Sequence, residues 1–257
     1  MKNKIISATI ILGLAGILSC KKQASPDIPL LRTPANIQQA FVKLNYASAY
    51  KNNPAVQLKI NGVRVSSTIN YAYPFPGGGL NTGGGSQADY FATEATSAAF
   101  AVTIPKAAST ADSTQLFIGT ANLTAGNYYS FHIADTGSSA RSSLIMENMS
   151  QPDSGFTRYR FVNLMPDLPG VDLYFAGTLV AGNIPFMGKS NEFTLVQGTG
   201  GKWEIKPAGS GTSLATYPSG TYTVPNQRVM TVFSRGYSTI SSSSDARRRQ
   251  VSLYYTR

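Results

Sequence analysis

An internal repeat is the feature that most constrains how this chain folds. Four pairs of segments match in the same order: 41–44 with 161–164, 54–62 with 169–177, 74–75 with 185–186, and 123–137 with 222–236. The insertions between them are rich in glycine, serine and asparagine. Because self-similarity at a fixed order indicates repeated structural units, the sequence predicts two modules, residues 38–150 and 151–257.

Each module is predicted to consist of short strands separated by turns. Val56, Leu58 and Ile60 alternate with polar residues, which is typical of a strand with one buried face. Asn61-Gly62 follows, a strong hairpin signal because a type I′ turn needs positive φ at both central positions. The second module has Ala176-Gly177 there, and since alanine disfavours positive φ, a different turn type stays open. The spacing of strands fits a sandwich or a barrel. The alternation continues at Trp203 and Ile205, at Val229, Thr231 and Phe233, and at Val251, Leu253 and Tyr255.

The N-terminus has the pattern of an export signal. Lys2 and Lys4 precede an uncharged stretch, 5–18, that is shorter than the roughly 20 residues of a membrane-spanning helix. This pattern predicts a signal peptide over 1–19. The residues Ile17-Leu18-Ser19-Cys20 resemble the lipobox of bacterial lipoproteins. That resemblance implies that diacylglycerol is joined to the thiol of Cys20, which becomes the N-terminus after cleavage.

Residues 20–37 follow as a lipidated N-terminus and a flexible tether, since they contain three prolines and no periodicity. Cys20 is the only cysteine. The mature chain therefore has no disulfides, although the compartment would permit them, and it relies on packed cores. We expect attachment to the outer membrane, with the leaflet undecided.

The net charge is +10, or +8 without Lys2 and Lys4, and only 13% of the residues are charged. A basic cytosolic protein would suggest nucleic acid, but the export signal argues against that partner. Lipopolysaccharide, anionic lipid or acidic polysaccharide fits a basic envelope protein better, and the charge also serves solubility alone.

Three segments, 160–174, 183–186 and 205–211, look like the domain-of-unknown-function family 4397. The resemblance is closest at 158–240. The first module departs from it, with five more residues between Phe41 and Pro54 than between Phe161 and Pro169, and with Gln57 at an acidic position. The family's members are secreted or lipid-anchored, often tandem, and are expected to be immunoglobulin-like β-sandwiches. The resemblance therefore implies an all-β chain of two tandem immunoglobulin-like sandwiches, and it implies no activity.

Catalytic and metal chemistry have few candidate residues. His132 is the only histidine and lies in an alternating strand, where we expect it to face solvent. Zinc ligands at the usual spacing are lacking, and acidic residues are scattered. Asp167 and Asp172 flank a turn. They are candidates either for binding Ca²⁺ or for capping the backbone of the turn, and we favour capping. We predict no enzyme activity, no cofactor and no metal.

The glycine-rich segment 76–86 lacks the lysine and the helix of a phosphate-binding loop. We predict a flexible insertion. Nearby aromatic residues either stack on sugar rings or fill the core, and a basic run near the C-terminus either keeps an edge strand from pairing or contacts an anionic glycan or lipid. The candidate ligand contacts are Tyr71, Tyr73, Tyr90, Arg247, Arg248 and Arg249. The residues Asp112-Ser113-Thr114, expected in a polar loop, weakly resemble a bacterial O-glycosylation motif that would modify Ser113.

These observations favour a non-enzymatic, lipid-anchored envelope protein with a binding, adhesion or scaffolding role. The alternative is a glycan-binding accessory lipoprotein of a polysaccharide-uptake system, and a hydrolase is third. The expected partners are the membrane, through the lipid, and an envelope polysaccharide or another envelope protein, but not nucleic acid. Clustered exposed aromatic residues would favour the glycan alternative, and buried ones a structural role.

Overall fold

The computed structural model describes residues 38–106 and 112–257. The predicted signal peptide 1–19, Cys20 and the tether to residue 37 lie outside the described residues. Within the described ranges the regular structure is β-strand apart from the 3-10 turn Gly137–Ser139, which confirms the all-β prediction. No helix among these residues has the length and apolar character needed to cross a membrane.

Residues 39–146 form two sheets. The strands are β1 (Gln39–Ala47), β2 (Gln57–Ile60), β3 (Val63–Arg64), β4 (Tyr73–Phe75), β5 (Phe91–Glu94), β6 (Ser97–Pro105), β7 (Asp112–Asn122), β8 (Tyr128–Ala134) and β9 (Arg141–Met146). One sheet has the order β4-β1-β8-β9, with β5 also paired to β1, and the other has the order β3-β2-β6-β7. Asp112 is the first residue of β7, whereas the sequence predicted a polar loop at this position.

Residues 156–255 form two further sheets. The strands are β10 (Phe156–Asn163), β11 (Val171–Phe175), β12 (Thr178–Ile184), β13 (Phe193–Val196), β14 (Gly200–Pro207), β15 (Ala215–Thr223), β16 (Val229–Arg235) and β17 (Gln250–Tyr255). Their orders are β13-β10-β16-β17 and β12-β11-β14-β15. The order repeats that of the first sandwich strand for strand, with β4 as the additional element. In each half the first strand is parallel to the penultimate one.

Each half encloses its own apolar core between its two sheets. The predicted alternating residues Val56, Leu58 and Ile60 lie in the first core. Trp203 and Ile205 lie in the second, together with Val251 and Leu253. This agrees with the sandwich prediction, because alternate residues of a strand point to opposite faces.

The repeat alignment of the first strands is wrong in its register. The match of Phe41-Val42 with Phe161-Val162 implies that each pair occupies the same face. Val42 lies in the first core, however, while Phe161 lies in the second core and Val162 on the opposite face. Both faces of these central strands are mostly buried, so a short match of apolar residues could not define the face.

The hairpin turns are alike in both halves. Asn61 and Gly62 have φ values of 50° and 78°, and Ala176 and Gly177 have 49° and 81°. Positive φ at both central residues defines a type I′ turn, so the expectation of a different turn at Ala176 is wrong. The preference of alanine is overridden, because the pairing of β11 with β12 and β14 fixes the path of the chain.

A third apolar cluster lies between the two sandwiches. It joins Ala47, Ala134 and Ile145 of the first half to Val162, Leu164, Phe233 and Tyr254 of the second. The outer face of β16 is therefore buried as well as its inner face. Burial of both faces makes the described sandwiches parts of one compact unit.

Candidate functional site: the basic edge of the second sandwich

A buried polar network accompanies the apolar contact between the sandwiches. Lys43 on β1 is fully buried, and its Nζ donates to the carbonyl oxygen of Pro76 at 2.6 Å and of Gln87 at 3.4 Å. The ammonium group also lies 5.3 Å from the ring centre of Tyr90 and 5.7 Å from that of Tyr254. Burial lowers the pKa of Lys43 to about 8, partly offset by Asp89 and Glu147, because desolvation disfavours the charged form.

His132 belongs to this network and does not face solvent, contrary to the prediction. It is fully buried on β8, where Nδ1 accepts a hydrogen bond from Asn45 Nδ2 at 3.2 Å. Nε2 lies 3.5 Å from the hydroxyl of Tyr254. Burial, and secondarily the charge of Arg160, lowers the pKa of His132 to about 3. The imidazole is neutral and enclosed, and its neighbours are an amide and a phenol.

An ion-pair network crosses from one half to the other beside it. Arg160 on β10 contacts Glu147 of the first half at 2.6 Å and Glu192 of its own half at 2.8 Å. Burial raises the pKa of Glu147, and Arg160 opposes that shift. Arg158 adds a contact to Glu192 at 3.2 Å. These carboxylates are committed to structural pairs.

The glycine-rich segment is docked on the second sandwich, which corrects the prediction of a flexible insertion. We call residues 76–90 the glycine clasp. Leu80 forms a bridge to Leu253, and the Asn81 side chain donates to the carbonyl oxygen of Val251 at 2.7 Å. Gly79 passes so close that a β-carbon would collide with the carbonyl oxygen of Leu253. Glycine is therefore needed for close approach of two backbones, and the clasp covers the free edge of β17.

The three candidate tyrosines pack inside this structure. Tyr71 packs against the first core and the inter-sandwich cluster, with its ring 5.0 Å from the Arg235 guanidinium. Tyr73 pairs with Tyr46 across β4 and β1, and its ring lies against Gly83 and Gly84 of the clasp. Tyr90 donates its hydroxyl to the carbonyl oxygen of Thr256 at 3.0 Å. Each of the three side chains is half-buried and engaged with neighbouring residues of the protein.

The arginine run lies in the loop before β17 and not on the edge strand itself. Arg247 is paired twice with Asp245, from Nε at 3.0 Å and from Nη2 at 2.8 Å. Those hydrogen bonds lower the pKa of Asp245 to about 2. Arg247 is therefore neutralised, while Arg248 and Arg249 have no carboxylate partner among the described residues.

Arg248 and Arg249 line a groove of about 590 Å³, which we call the arginine groove. Its walls are β15 from Ala215 to Ser219, the loop before β17, and Asn81 of the clasp. The groove forms because β15 and β17 are edge strands of the two facing sheets and contact each other. Its lining includes Tyr217 and several amides and hydroxyls, and no aspartate or glutamate.

Backbone carbonyls hold the two guanidinium groups in place. Arg249 donates from Nε to Leu214 O at 2.7 Å and from Nη1 to Ser238 O at 2.6 Å. Arg248 donates from Nη1 to Ser243 O at 3.2 Å. Both side chains are half-buried. Oriented guanidinium groups with spare donors suit an acceptor-rich ligand, since arginine recognises carboxylates in bidentate geometry.

The two candidate aspartates each hold a loop. Asp167 accepts hydrogen bonds from the backbone N–H and the hydroxyl of Ser238. Asp172 accepts from the N–H groups of Asn183 at 2.6 Å and Gly209 at 2.9 Å. Both aspartates therefore cap backbone N–H groups of distant segments, and not of the turn that lies between them as predicted. Among the described residues, no group of three His, Cys, Asp or Glu side chains could hold a metal ion.

Sequence reasoning found Arg248 and Arg249 and missed Tyr217, Asn81 and Gln250. The missed residues come from β15, the clasp and β17, which only the tertiary structure brings together. The sequence analysis identified no signal that places β15 at the edge of a sheet.

A family model described as Domain of unknown function (DUF4397) matches residues 40–174. The match covers the first sandwich and ends in β11, whereas the resemblance seen in the sequence is closest at 158–240. No curated protein matches the chain.

Two solved structures are similar to it in part. One is CBMbc, of family CBM26, from Eubacterium rectale Amy13K in complex with maltoheptaose, with 11% identity, a TM-score of 0.24, and coverage of 85% of this chain and 97% of that chain. The other is a leucine-rich repeat protein from Bacteroides thetaiotaomicron, with 12% identity, a TM-score of 0.19, and coverage of 76% and 25%. At these scores neither likeness bears on function.

Proposed function

The chain belongs to the DUF4397 family of domains of unknown function, and from its structure we propose that it is a non-enzymatic, lipid-anchored envelope protein that binds a glycan in the arginine groove. The observation that carries this proposal is the groove itself. It combines two half-buried guanidinium groups, a tyrosine and several neutral polar side chains without any carboxylate. Sugar hydroxyls and acidic substituents are acceptors that such donors recognise.

The environment of the polar side chains supports a binding role over catalysis. His132 is neutral and enclosed between the sandwiches. Glu147 and Glu192 are held in ion pairs with Arg160. A general acid or base must reach a substrate, and these groups are engaged in holding the two halves together.

A glycan array with the compact unit, residues 37–257, tests the binding proposal. We expect binding by the wild type and a loss of about tenfold or more in affinity with Arg248→Gln, because charge-assisted hydrogen bonds are the strong ones. Arg247→Gln is the matched control, because Arg247 is already paired with Asp245. An array with no bound glycan, or equal losses in the two variants, contradicts the proposal.

Membrane attachment is a separate proposal with its own experiment. We expect the full chain to fractionate with membranes and the Cys20→Ala variant to become soluble, because stable anchoring comes from the acyl chains. An unchanged membrane-bound fraction in the variant would refute the anchor.

A scaffolding role is the second candidate, and the packing of the tyrosines favours it. Tyr71 and Tyr90 contact residues of the second sandwich, and Tyr73 packs against the first core and the glycine clasp. If no glycan binds, cross-linking in intact cells should instead identify an envelope protein that contacts the chain.

A further inference from the structure

A second basic cleft lies near the C-terminus, about 290 Å³ in volume. Arg228, Tyr255 and Arg257 line it together with Ser86 to Ala88 of the glycine clasp. Arg228 is exposed, and its side chain has no partner among the described residues. Arg257 donates to the amide oxygen of Gln151 at 3.2 Å. Like the arginine groove, this cleft is lined by two cationic side chains and by no aspartate or glutamate side chain.

The two depressions are placed along the same strand. The arginine groove reaches the first residue of β17, Gln250, and the C-terminal cleft reaches its last, Tyr255. A strand rises about 3.3 Å per residue, so these residues are separated by about 17 Å. Tyr217 and Tyr255 both pack at this margin of the second core. Four arginines and two tyrosines thus lie at the two ends of β17, Arg248, Arg249 and Tyr217 at one end and Arg228, Arg257 and Tyr255 at the other.

The glycine clasp borders both depressions. Asn81 lies in the arginine groove, and Ser86 to Ala88 lie in the C-terminal cleft. The bridge of Leu80 with Leu253 fixes the clasp to β17, and Lys43 on β1 donates to the carbonyl oxygen of Gln87 at 3.4 Å. The spacing of the two basic ends is therefore set by buried contacts and not by a mobile loop.

We propose that the arginine groove and the C-terminal cleft form one extended site for a linear acidic glycan that carries carboxylate groups at intervals along its chain. This inference rests on the proposed function and deepens it by naming the ligand class. Cationic side chains without aspartate or glutamate partners at both ends favour an acidic chain over a neutral one. The half-buried position of Arg248 and Arg249 and the backbone carbonyls that orient Arg249 suit individual carboxylates better than the flat surface of a membrane does.

The test is a titration series with oligogalacturonates of increasing length and with the same oligomers after methyl esterification. Esterification removes the negative charge and keeps the sugar backbone. We expect the long acidic oligomers to bind at least tenfold more tightly than the esterified ones, and the affinity to fall as salt is raised, because exposed charges are screened.

Two variants then separate the ends of the site. Arg248→Gln should lower the affinity for short and long acidic oligomers alike. Arg228→Gln should lower the affinity, by about fivefold to tenfold, only for oligomers long enough to span the roughly 17 Å between the depressions. Arg247→Gln should leave all affinities unchanged, and unfolding midpoints should show that each variant folds.

The results distinguish this inference from the proposed function. Equal binding of acidic and esterified oligomers overturns the acidic class but leaves glycan binding intact, whereas binding of no glycan removes both. Long oligomers that are insensitive to Arg228→Gln overturn the continuous site. Binding to vesicles of anionic lipid with the same dependence on Arg228 and Arg248 would assign the edge to a membrane surface and overturn the inference.

Discussion

Lys43 provides the most direct test of how the two sandwiches are held together. In the folded chain its pKa is about 8, against an ordinary value of 10.5, because the ammonium group is buried. Each pKa unit corresponds to about 1.4 kcal/mol. Keeping the lysine charged in the fold therefore costs about 3 kcal/mol below pH 8, and this cost disappears as the pH rises towards 10.5.

The sign follows from proton binding. Between pH 8 and 10.5 the unfolded chain binds a proton that the folded chain has released, so the free energy of unfolding rises with pH in this window. We expect the free energy of unfolding of the wild type, relative to that of Lys43→Met, to rise by about 1 kcal/mol between pH 7 and pH 9. Below pH 7 the difference between the two should be constant. Taking the difference cancels the ionisation of tyrosines, which both proteins share.

Urea unfolding measures this difference. Trp203 is the only tryptophan and is fully buried in the second core, so its fluorescence reports that half. Far-UV circular dichroism reports both halves. Lys51→Met is the control, because Lys51 is exposed and its substitution removes the same charge from the surface. If the Lys43→Met difference is flat from pH 7 to 9, the ammonium group is not desolvated and the description of the interface is wrong.

Three further predictions concern the folded unit, each measured by urea unfolding. Ala176→Gly should raise the free energy of unfolding by about 0.5–1 kcal/mol by relieving positive φ; Asn61→Ala should lower it by about 1–2 kcal/mol, and a reversed pair of signs would contradict the strain argument. The wild type should lose stability as the pH falls from 6.5 towards 3, because the unfolded chain protonates His132 and the folded chain does not. His132→Gln should reduce this loss, and an unchanged acid profile would count against a buried neutral imidazole. Gly79→Ala should destabilise by about 1 kcal/mol or more through collision with Leu253, whereas Gly85→Ala should be nearly neutral, because a β-carbon there would meet only the Gln87 side chain at 3.9 Å; equal effects would mean that the clasp is not docked.

The sequence predicted the local architecture well because each signal was local. Alternation at Val56, Leu58 and Ile60 depends only on the period of a strand, and the same holds for Trp203 and Ile205. Arg248 and Arg249 were recognised as candidate contacts from their charge alone. These features need no knowledge of which strands become neighbours.

Other features depended on packing between distant segments, and there the predictions failed. His132 alternates as if it faced water, but the second sandwich covers that face with Tyr254. The glycine-rich segment has the composition of a flexible linker, but its glycines permit contact with β17. Ala176 adopts the turn that its partner strands impose. In each case the deciding contact comes from residues far away in the chain. The sequence repeat and the alternation within each strand predicted the two sandwiches, because both can be read from the chain itself. Only the tertiary structure decided how the sandwiches dock and where the arginine groove lies.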